Sequence, residues 1–505
     1  MEHDTNLTRR QLLKNAGAAI GSSLLFTNDL FAGEPSSTPP GNTVIFTHTT
    51  VVTGDAHKAP LKDVALAVKD NLIAAIGPTD EVLKQFPGSE VIDGKYKALL
   101  PGLINCHAHL SAAVARGFNE DFGFPNRAGL NVWPERLVSE EERALMSVMA
   151  ALHSIRTGTT TVMEYTRNIA SEANELAKTG VRWVFAEGVN DRIDADVMSP
   201  EVFEKSTTPK FSSHKREEGM KRIDDLFSKW HNRNNGRIQV FPAVVHTENT
   251  SPELLKAVRE YAEKHNVGYT IHLNQTHAEI NYMKKFHNVR PAEYLYRHDF
   301  LGPKLVAAHA RYVDADEISM LGKTKTIISH QAAMAANRGV SPPIPALRDA
   351  GCPICLGTDN NNNDMYAVMK VAMLSERIKR NDEHPGMMPQ PEDILSETTL
   401  GGALAVGQAD MLGSLEVGKK ADIIVLNTKQ PYLIPSGRIL SAWMHNGMAS
   451  DVESVMIDGE FVMRDHKILT VDEEALVMEA DKIGKRVWDT VEKANRVIPP
   501  GRKSW

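Results

Sequence analysis

Two histidines stand two residues apart in Pro101-Gly102-Leu103-Ile104-Asn105-Cys106-His107-Ala108-His109-Leu110, directly after the apolar run Ala98-Leu99-Leu100. In an extended strand, residues i and i+2 point to the same face, so His107 and His109 could offer two imidazoles to one metal ion. One His-x-His among 19 histidines is weak evidence. It gains weight from the rest of the chain, where His246, His272, His309, His330 and Asp359 each lie near the end of an apolar segment. Imidazole and carboxylate are ligands of divalent ions, and so ordered a series exceeds what chance pairing would produce.

The elements that must position these residues can be read from the pattern. After a Pro/Ser/Thr linker come short β patterns, Thr43–Thr47, Val64–Val68 and Leu72–Gly77, which suggest a small β unit. Beyond Ala98, short apolar runs alternate with helical stretches such as Ser139–Arg156, Ser251–His265, Asp314–Leu321 and Pro342–Ala350. Taking Leu99 to Ile104 as the first run gives about eight strands, each followed by a helix, which predicts a (β/α)8 barrel of the TIM type. In such a barrel the C-terminal strand ends converge on one mouth, and Glu164, His246, His272, His309, His330 and Asp359 all fall at such ends. From Gly413 the β patterns return, and the two β-rich ends of the chain are expected to pair. The expected fold is α/β: a barrel beside a composite, β-sandwich-like domain. Its parts are a signal and linker (1–40), the N-terminal β part (41–97), the barrel (98–412), the C-terminal β part (413–470) and a helical tail (471–505).

Composition narrows the classes. A chain of 505 residues with 42% hydrophobic and 24% charged residues has an ordinary globular balance. A formal net charge of −7 without a long basic cluster gives nucleic-acid binding no electrostatic support. Three cysteines exclude a disulfide scaffold, and Cys352-Pro353-Ile354-Cys355 reads as structural, since an offset of three in a strand sends the thiols to opposite faces. At the N-terminus, Thr8-Arg9-Arg10-Gln11-Leu12-Leu13-Lys14 precedes a mildly apolar run, Ala16 to Phe26, then small and polar residues. That resembles a twin-arginine export signal, implying the translocation machinery as a partner and a periplasmic or extracellular destination; a disordered basic tail is the other reading. The apolar run is far shorter than the ~20 residues of a membrane span, and no stable membrane insertion is expected.

At the histidine-bearing strand ends, the chain resembles the amidohydrolase superfamily, in the branch of ATZ/TRZ-type chlorohydrolases, S-adenosylhomocysteine-type deaminases and cytosine deaminases. The motifs are PGLINCHAHL, RTGTTTVMEY, IHLNQTHAE, AAHA, ISHQ, LRDAGCPICLGTDNNNNDM and GSLEVGKKADIIVLN. The resemblance implies that His107, His109, His272 and Asp359 hold one divalent metal, with zinc first and iron, manganese or cobalt as alternatives. Such a ligand set leaves a position open for a water that the metal acidifies. Binuclear relatives carry a bridging modified lysine on the fourth strand, which here ends in His246; one ion is therefore expected. By the same resemblance His309 orients the attacking water, Asp359 serves as general base, His246 and His330 touch substrate, and a homo-oligomer is favoured.

One position departs from the pattern. Relatives read His-x-x-Glu on the fifth strand, and the glutamate moves protons; here Gln275 stands in its place. An amide cannot deliver a proton at neutral pH. The leading expectation is therefore hydrolysis of a non-peptide C–N bond in a small amide, urea, carbamate or lactam by a metal-activated water. Gln275 would hold a carbonyl or amide, and Asp359 would pass its proton to the leaving amine. The alternative is a deaminase or chlorohydrolase of pyrimidines, purines or triazines. A non-catalytic small-molecule binding protein is a third reading, disfavoured by the retained ligand set. Glu279, four residues past Gln275, is a candidate replacement acid, and His277 a more distant one. Asn360 in Asn360-Asn361-Asn362-Asn363 could reach substrate, and Trp133, Phe118, Phe122 and Phe124 are candidate walls.

Overall fold

The computed structural model describes residues 30, 43–118, 132–193, 208–360, 362–382, 387–435 and 437–494. The arginine pair, the apolar run behind it, Phe122 and Phe124 lie outside the described residues.

The chain enters through five strands: β1 (Thr43–Val51), β2 (Leu61–Lys69), β3 (Leu72–Gly77), β4 (Glu90–Asp93) and β5 (Lys97–Pro101). It then runs through the barrel strands β6 (Leu103–Ala108), β7 (Thr159–Thr166), β8 (Arg182–Val189), β9 (Ile238–His246), β10 (Tyr269–Leu273), β11 (Leu305–His309), β12 (Ile327–His330) and β13 (Ile354–Leu356). It returns with β14 (Ile423–Asn427), β15 (Val452–Ile457), β16 (Glu460–Arg464) and β17 (Lys467–Ile468). Strands β6 to β13 pair in sequence order, all parallel, as a nearly closed eight-stranded barrel. They are buried along almost their whole length, as expected of strands covered on both faces. The helical stretches anticipated from sequence form, and Ser139, Ser251 and Asp314 cap theirs by accepting a backbone N–H of the first turn.

One expectation changes. The run Ala98–Leu100 is not the first barrel strand: it lies in β5, where Leu100 pairs with Ile424 of the returning chain. The break falls at Gly102, where an added Cβ would stand 2.1 Å from Thr160 Oγ1. The β-rich ends pair as expected, in one nine-stranded mixed sheet ordered β17-β16-β15-β14-β5-β1-β2-β3 with β4 beside β1. Helix Thr79–Gln85 covers part of its outer face, placing Val82 among Ile45, Ala65, Ala67 and Ala75.

A buried ionic junction ties this sheet to the bottom of the barrel. Arg182, at the start of β8, forms two bonds to the Asp422 carboxylate at 3.0 and 2.9 Å, and Asp458 receives Arg237 at 3.2 Å and Lys420 at 2.9 Å. The C-terminal helix Glu473–Ala494 packs on helix Glu140–Arg156, and its Trp488 indole donates to the Val114 carbonyl at 3.1 Å. Among the described residues no helix is long and apolar enough to cross a membrane.

Candidate active site

Strand β13 has three residues, so the barrel is closed by the turn after it. Thr358 N and Asp359 N donate to the His107 carbonyl at 3.0 and 2.9 Å, and His109 N returns a bond to the Asp359 carbonyl at 3.3 Å. Asn105 fastens the same seam, accepting from Thr358 N and donating to its hydroxyl at 2.8 Å. A Cβ at Gly357 would lie 2.9 Å from His107 N and O, so the close approach requires glycine there. Asp359 and His109 are thus brought together by the closure itself.

Backbone carbonyls fix two of the imidazoles. His109 Nδ1 donates to the Tyr165 carbonyl at 2.7 Å, and His272 Nδ1 to the Val245 carbonyl at 2.8 Å. A carbonyl can only accept, so each ring carries its proton on Nδ1 and turns a bare Nε2 lone pair inward. Those two Nε2 atoms face each other at 3.2 Å. Without a proton between them they cannot bond, but two nitrogens at 2.0–2.1 Å from a tetrahedral zinc stand about 3.3–3.4 Å apart. His107 fits between them: it is buried, its ring centroid is 4.8 Å from those of His109 and His272, and both its nitrogens lack a hydrogen-bond partner among the described residues. One ligand atom each from His107, His109 and Asp359 lies within 4.8 Å of the others, and the same is true of His107, His272 and His309. The donor set and the orphaned nitrogens therefore fit a divalent ion.

The electrostatics agree with that fit. Burial, reinforced by His109, Arg311 and His246, holds His107 well below the usual imidazole range. Burial does the same to His272, helped by His107, His246 and His109, and to His309, helped by Arg311, His107 and His272. Neutral imidazole is the form that binds metal.

Around the cluster, Asp359 sends Oδ1 to 3.7 Å from His109 Nε2 and Oδ2 to 3.8 Å from both His309 Nδ1 and Arg311 Nη2. Neither nitrogen of the buried His309 has a hydrogen-bond partner among the described residues, and its backbone N–H is held by Gln331 Oε1 at 2.9 Å. His309 (φ 81°) and Asp359 (φ 63°) both take the left-handed backbone region, a cost of order 1–3 kcal/mol each that is typical of functional positions. His246 Nε2 and Gln275 Oε1 are 2.9 Å apart. The amide oxygen only accepts, so His246 donates, and the Gln275 NH2 is left to offer hydrogens elsewhere. His330 is buried with Nδ1 unpartnered, and burial lowers it to about 4. Asn360 N donates to Asp359 Oδ1 at 2.8 Å, and its own side-chain oxygen has no partner among the described residues.

Other candidates are placed differently. Glu279 accepts the Thr247 hydroxyl at 2.7 Å, Asn274 N at 3.1 Å and Gln275 N at 2.7 Å. Both its oxygens therefore hold the turn that carries Gln275. Burial and then the Glu248 charge push it up to about 8. His277 stacks on Tyr312 at 4.0 Å. Glu164 accepts Leu110 N at 3.1 and 3.0 Å, fastening the turn after His109. Trp133 lies under the Arg136 guanidinium, 5.1 Å from its ring. Phe118 is no substrate wall: it is buried against Trp488 of the C-terminal helix, with ring centroids 5.7 Å apart.

Sequence reasoning missed Tyr165 and Arg311. Tyr165 wedges its ring 4.5 Å from His272 and donates its hydroxyl to the Val244 carbonyl at 3.1 Å. Arg311, two residues past His309, was signalled only by a basic side chain just beyond a strand end.

Comparison with known proteins matches this architecture. The model of the amidohydrolase family aligns with residues 98–462. The chain is 31% identical over 426 residues to a 5'-deoxyadenosine deaminase of Methanobrevibacter smithii, covering 83% of this chain and 92% of that one. It is 28% identical over 433 residues to a 5-methylthioadenosine/S-adenosylhomocysteine deaminase of Desulforudis audaxviator, covering 84% and 95%. The crystal structure of an adenosine deaminase from Xanthomonas campestris with bound zinc superimposes with a TM-score of 0.78 at 23% identity, over 89% of this chain and all of that one. With barrel, composite sheet and histidine cluster in place, the family model spanning well over half of its length makes this chain a member of the amidohydrolase family.

Proposed function

We propose that this enzyme is a metal-dependent deaminase of adenine nucleosides: it replaces the ring amino group by oxygen and releases ammonia. The observation that carries the reading is the pair of inward Nε2 lone pairs of His109 and His272, 3.2 Å apart beside the orphaned nitrogens of His107. The choice of a purine amine as leaving group is supported by the likeness to nucleoside deaminases across more than four-fifths of the chain. That likeness reverses the order expected from Gln275 alone, which placed amide, urea, carbamate and lactam hydrolysis first.

His107, His109, His272 and Asp359 would hold the ion, zinc before other divalent metals. When bound, it supplies a water acidified toward neutrality and a Lewis acid for the reacting carbon. Asp359 takes the proton of the attacking water and returns it to the departing amine. His309, held by Gln331 through its backbone, faces the same carboxylate and orients the water. Gln275, aimed by His246, donates its amide N–H to the ring, and His330, with its Nδ1 unpartnered among the described residues, and Asn360, bonded to Asp359, would touch substrate. Export by the twin-arginine route and self-association remain part of the proposal, resting on Arg9-Arg10 and on the family resemblance respectively.

The test is a mass-spectrometric product screen of metal-loaded protein on 5'-deoxyadenosine, 5-methylthioadenosine, S-adenosylhomocysteine, aminopyrimidines, ureas and lactams, with Asp359→Asn as blank. Ammonia with the corresponding inosine-type product supports the reading. Release of a larger amine, with all ring amines intact, refutes it and returns the amide reading to first place.

A further inference from the structure

The deaminase mechanism leaves one charged group unused. Arg311 lies two residues past the end of β11, and its side chain is 6% exposed. Its Nε and Nη2 have no hydrogen-bond partner among the described residues. The nearest carboxylate oxygen, Asp359 Oδ2, is 3.8 Å from Nη2, too far for a hydrogen bond. Burying a guanidinium without hydrogen bonds is costly, and such groups are ordinarily paired. The same Asp359 Oδ2 is 3.8 Å from His309 Nδ1, so Arg311 borders the same space as the histidine cluster. Gln275 is an amide and cannot itself protonate the ring where charge builds.

We propose that Arg311 is a catalytic residue and the anion-accepting group of the site, a fixed donor for the negative charge that gathers on the purine ring nitrogens as water adds. This rests on the deaminase reading and completes it. The water oxygen bonds to the amine-bearing carbon while its proton passes to Asp359. The electron pair of the ring C=N moves onto nitrogen, where Arg311 N–H meets it with a full positive charge. The pair then returns to the ring, the C–N bond to the amine breaks, and Asp359 protonates the leaving group to give ammonia. One water is consumed and no other reactant is needed. A preorganised charged donor does by hydrogen bonding what Gln275 cannot do by proton transfer.

The probe is urate, a purine carrying a delocalised negative charge at neutral pH, against hypoxanthine, a neutral purine of the same frame. Binding to the metal-loaded full chain is measured calorimetrically. Wild type should bind urate about 10- to 100-fold more tightly, as expected of hydrogen bonds to a charged group. Arg311→Met should abolish that preference, and Arg311→Lys should keep part of it, with metal content unchanged in both. No preference in wild type, a preference that survives Arg311→Met, or equal weakening of both purines with lost metal overturns the proposal. The last outcome makes Arg311 a prop for Asp359. In turnover, Arg311→Met should lower kcat by about 10²- to 10³-fold, as for loss of one oxyanion donor. In a Gln275→Glu background the loss should shrink, because an acid then shares the task; an equal loss in both backgrounds counts against it. Absence of ammonia from every wild-type assay would sink the deaminase reading alone, since the urate preference judges Arg311 without turnover.

Discussion

Replacing His272 by alanine tests whether the cluster holds a metal, and the size of the effect can be worked from the geometry. The facing Nε2 atoms already stand at the spacing a tetrahedral ion requires, so binding needs no rearrangement and each ligand contributes fully. Spread over four ligands, a zinc binding energy of about 10–16 kcal/mol is about 2.5–4 kcal/mol per ligand, or roughly 10²- to 10³-fold in affinity. With free metal at about 1,000 times the wild-type Kd, binding stabilises the native state by about 4 kcal/mol. Unfolding 505 residues at about 2.1 cal/mol/K per residue carries an entropy near 1 kcal/mol/K, so that gain raises Tm by about 4 °C. In His272→Ala the same metal concentration is only about 1–10 times Kd, and the gain falls to about 0.4–1.4 kcal/mol, close to 1 °C. The assay is thermal unfolding in chelator and in zinc. Each variant is compared with its own metal-free form, so the cost of truncating a buried ring cancels. His214→Ala, an exposed histidine, is the control. A wild-type protein indifferent to zinc, or a His272→Ala variant that keeps the full shift, refutes the ligand assignment.

Asp359→Asn should lower ammonia release by at least about 10²- to 10⁴-fold, the range of a lost general base, while leaving the barrel seam intact because that seam uses the backbone of residue 359; near-normal turnover refutes the base role. Arg182→Met should cost about 3–5 kcal/mol in urea unfolding, because the buried Asp422 loses the guanidinium that pairs it, while Asp458 keeps Arg237 and Lys420; a loss under about 1 kcal/mol would mean the junction is solvated. Metal-free protein should lose stability in acid partly through His330: its folded value is about 4, against about 6.5 unfolded, so its contribution is complete above pH 6.5 and disappears as pH falls toward 4. The loss approaches 1.4 kcal/mol per pH unit, and His330→Gln should flatten that part of the unfolding midpoint against pH.

The barrel was legible in the sequence because apolar runs alternate with helical stretches and three of the eight strands end on histidine: His246, His309 and His330 are the last residues of β9, β11 and β12. The residues proposed to hold the metal were named from the motifs around them, His107 within β6, His272 within β10, and His109 and Asp359 just beyond strand ends. The first strand was misplaced because Ala98–Leu100 and Leu103–Cys106 are equally apolar, and only the crowding of Gly102 against Thr160 separates them. The pairing of β5 with β14 joins residues more than 300 positions apart and has no local signature. Glu279 shows the opposite limit. Its spacing from Gln275 suggested a shared face, but a carboxylate at the start of helix His277–His287 is taken up by the free backbone N–H groups of Asn274 and Gln275. Arg311 had only a weak signal, a basic side chain just past a strand end, and the left-handed backbone of His309 and Ala310 before it has no pattern in residue type.

The seam between the last and first barrel strands gives two of the proposed metal ligands a structural role as well as a chemical one. Closure of a barrel removes the exposed strand edges, and here it depends on the His107 carbonyl receiving two backbone N–H groups from Thr358 and Asp359. The side chains of His107 and Asp359 point into the cluster from the same residues whose backbones hold the seam. Any spreading of the seam therefore separates two ligands, and an ion bound by both pulls the strands together. Fold and site are one cooperative unit at this point: substitutions at Asn105, Thr358 or Gly357, none of which is in the ligand set, should weaken metal affinity and barrel stability in proportion. A variant such as Asn105→Ala that lost about 1–3 kcal/mol of stability through its broken hydrogen bonds, yet bound zinc as tightly as wild type, would show that the ligands are positioned independently of the closure and would overturn this coupling.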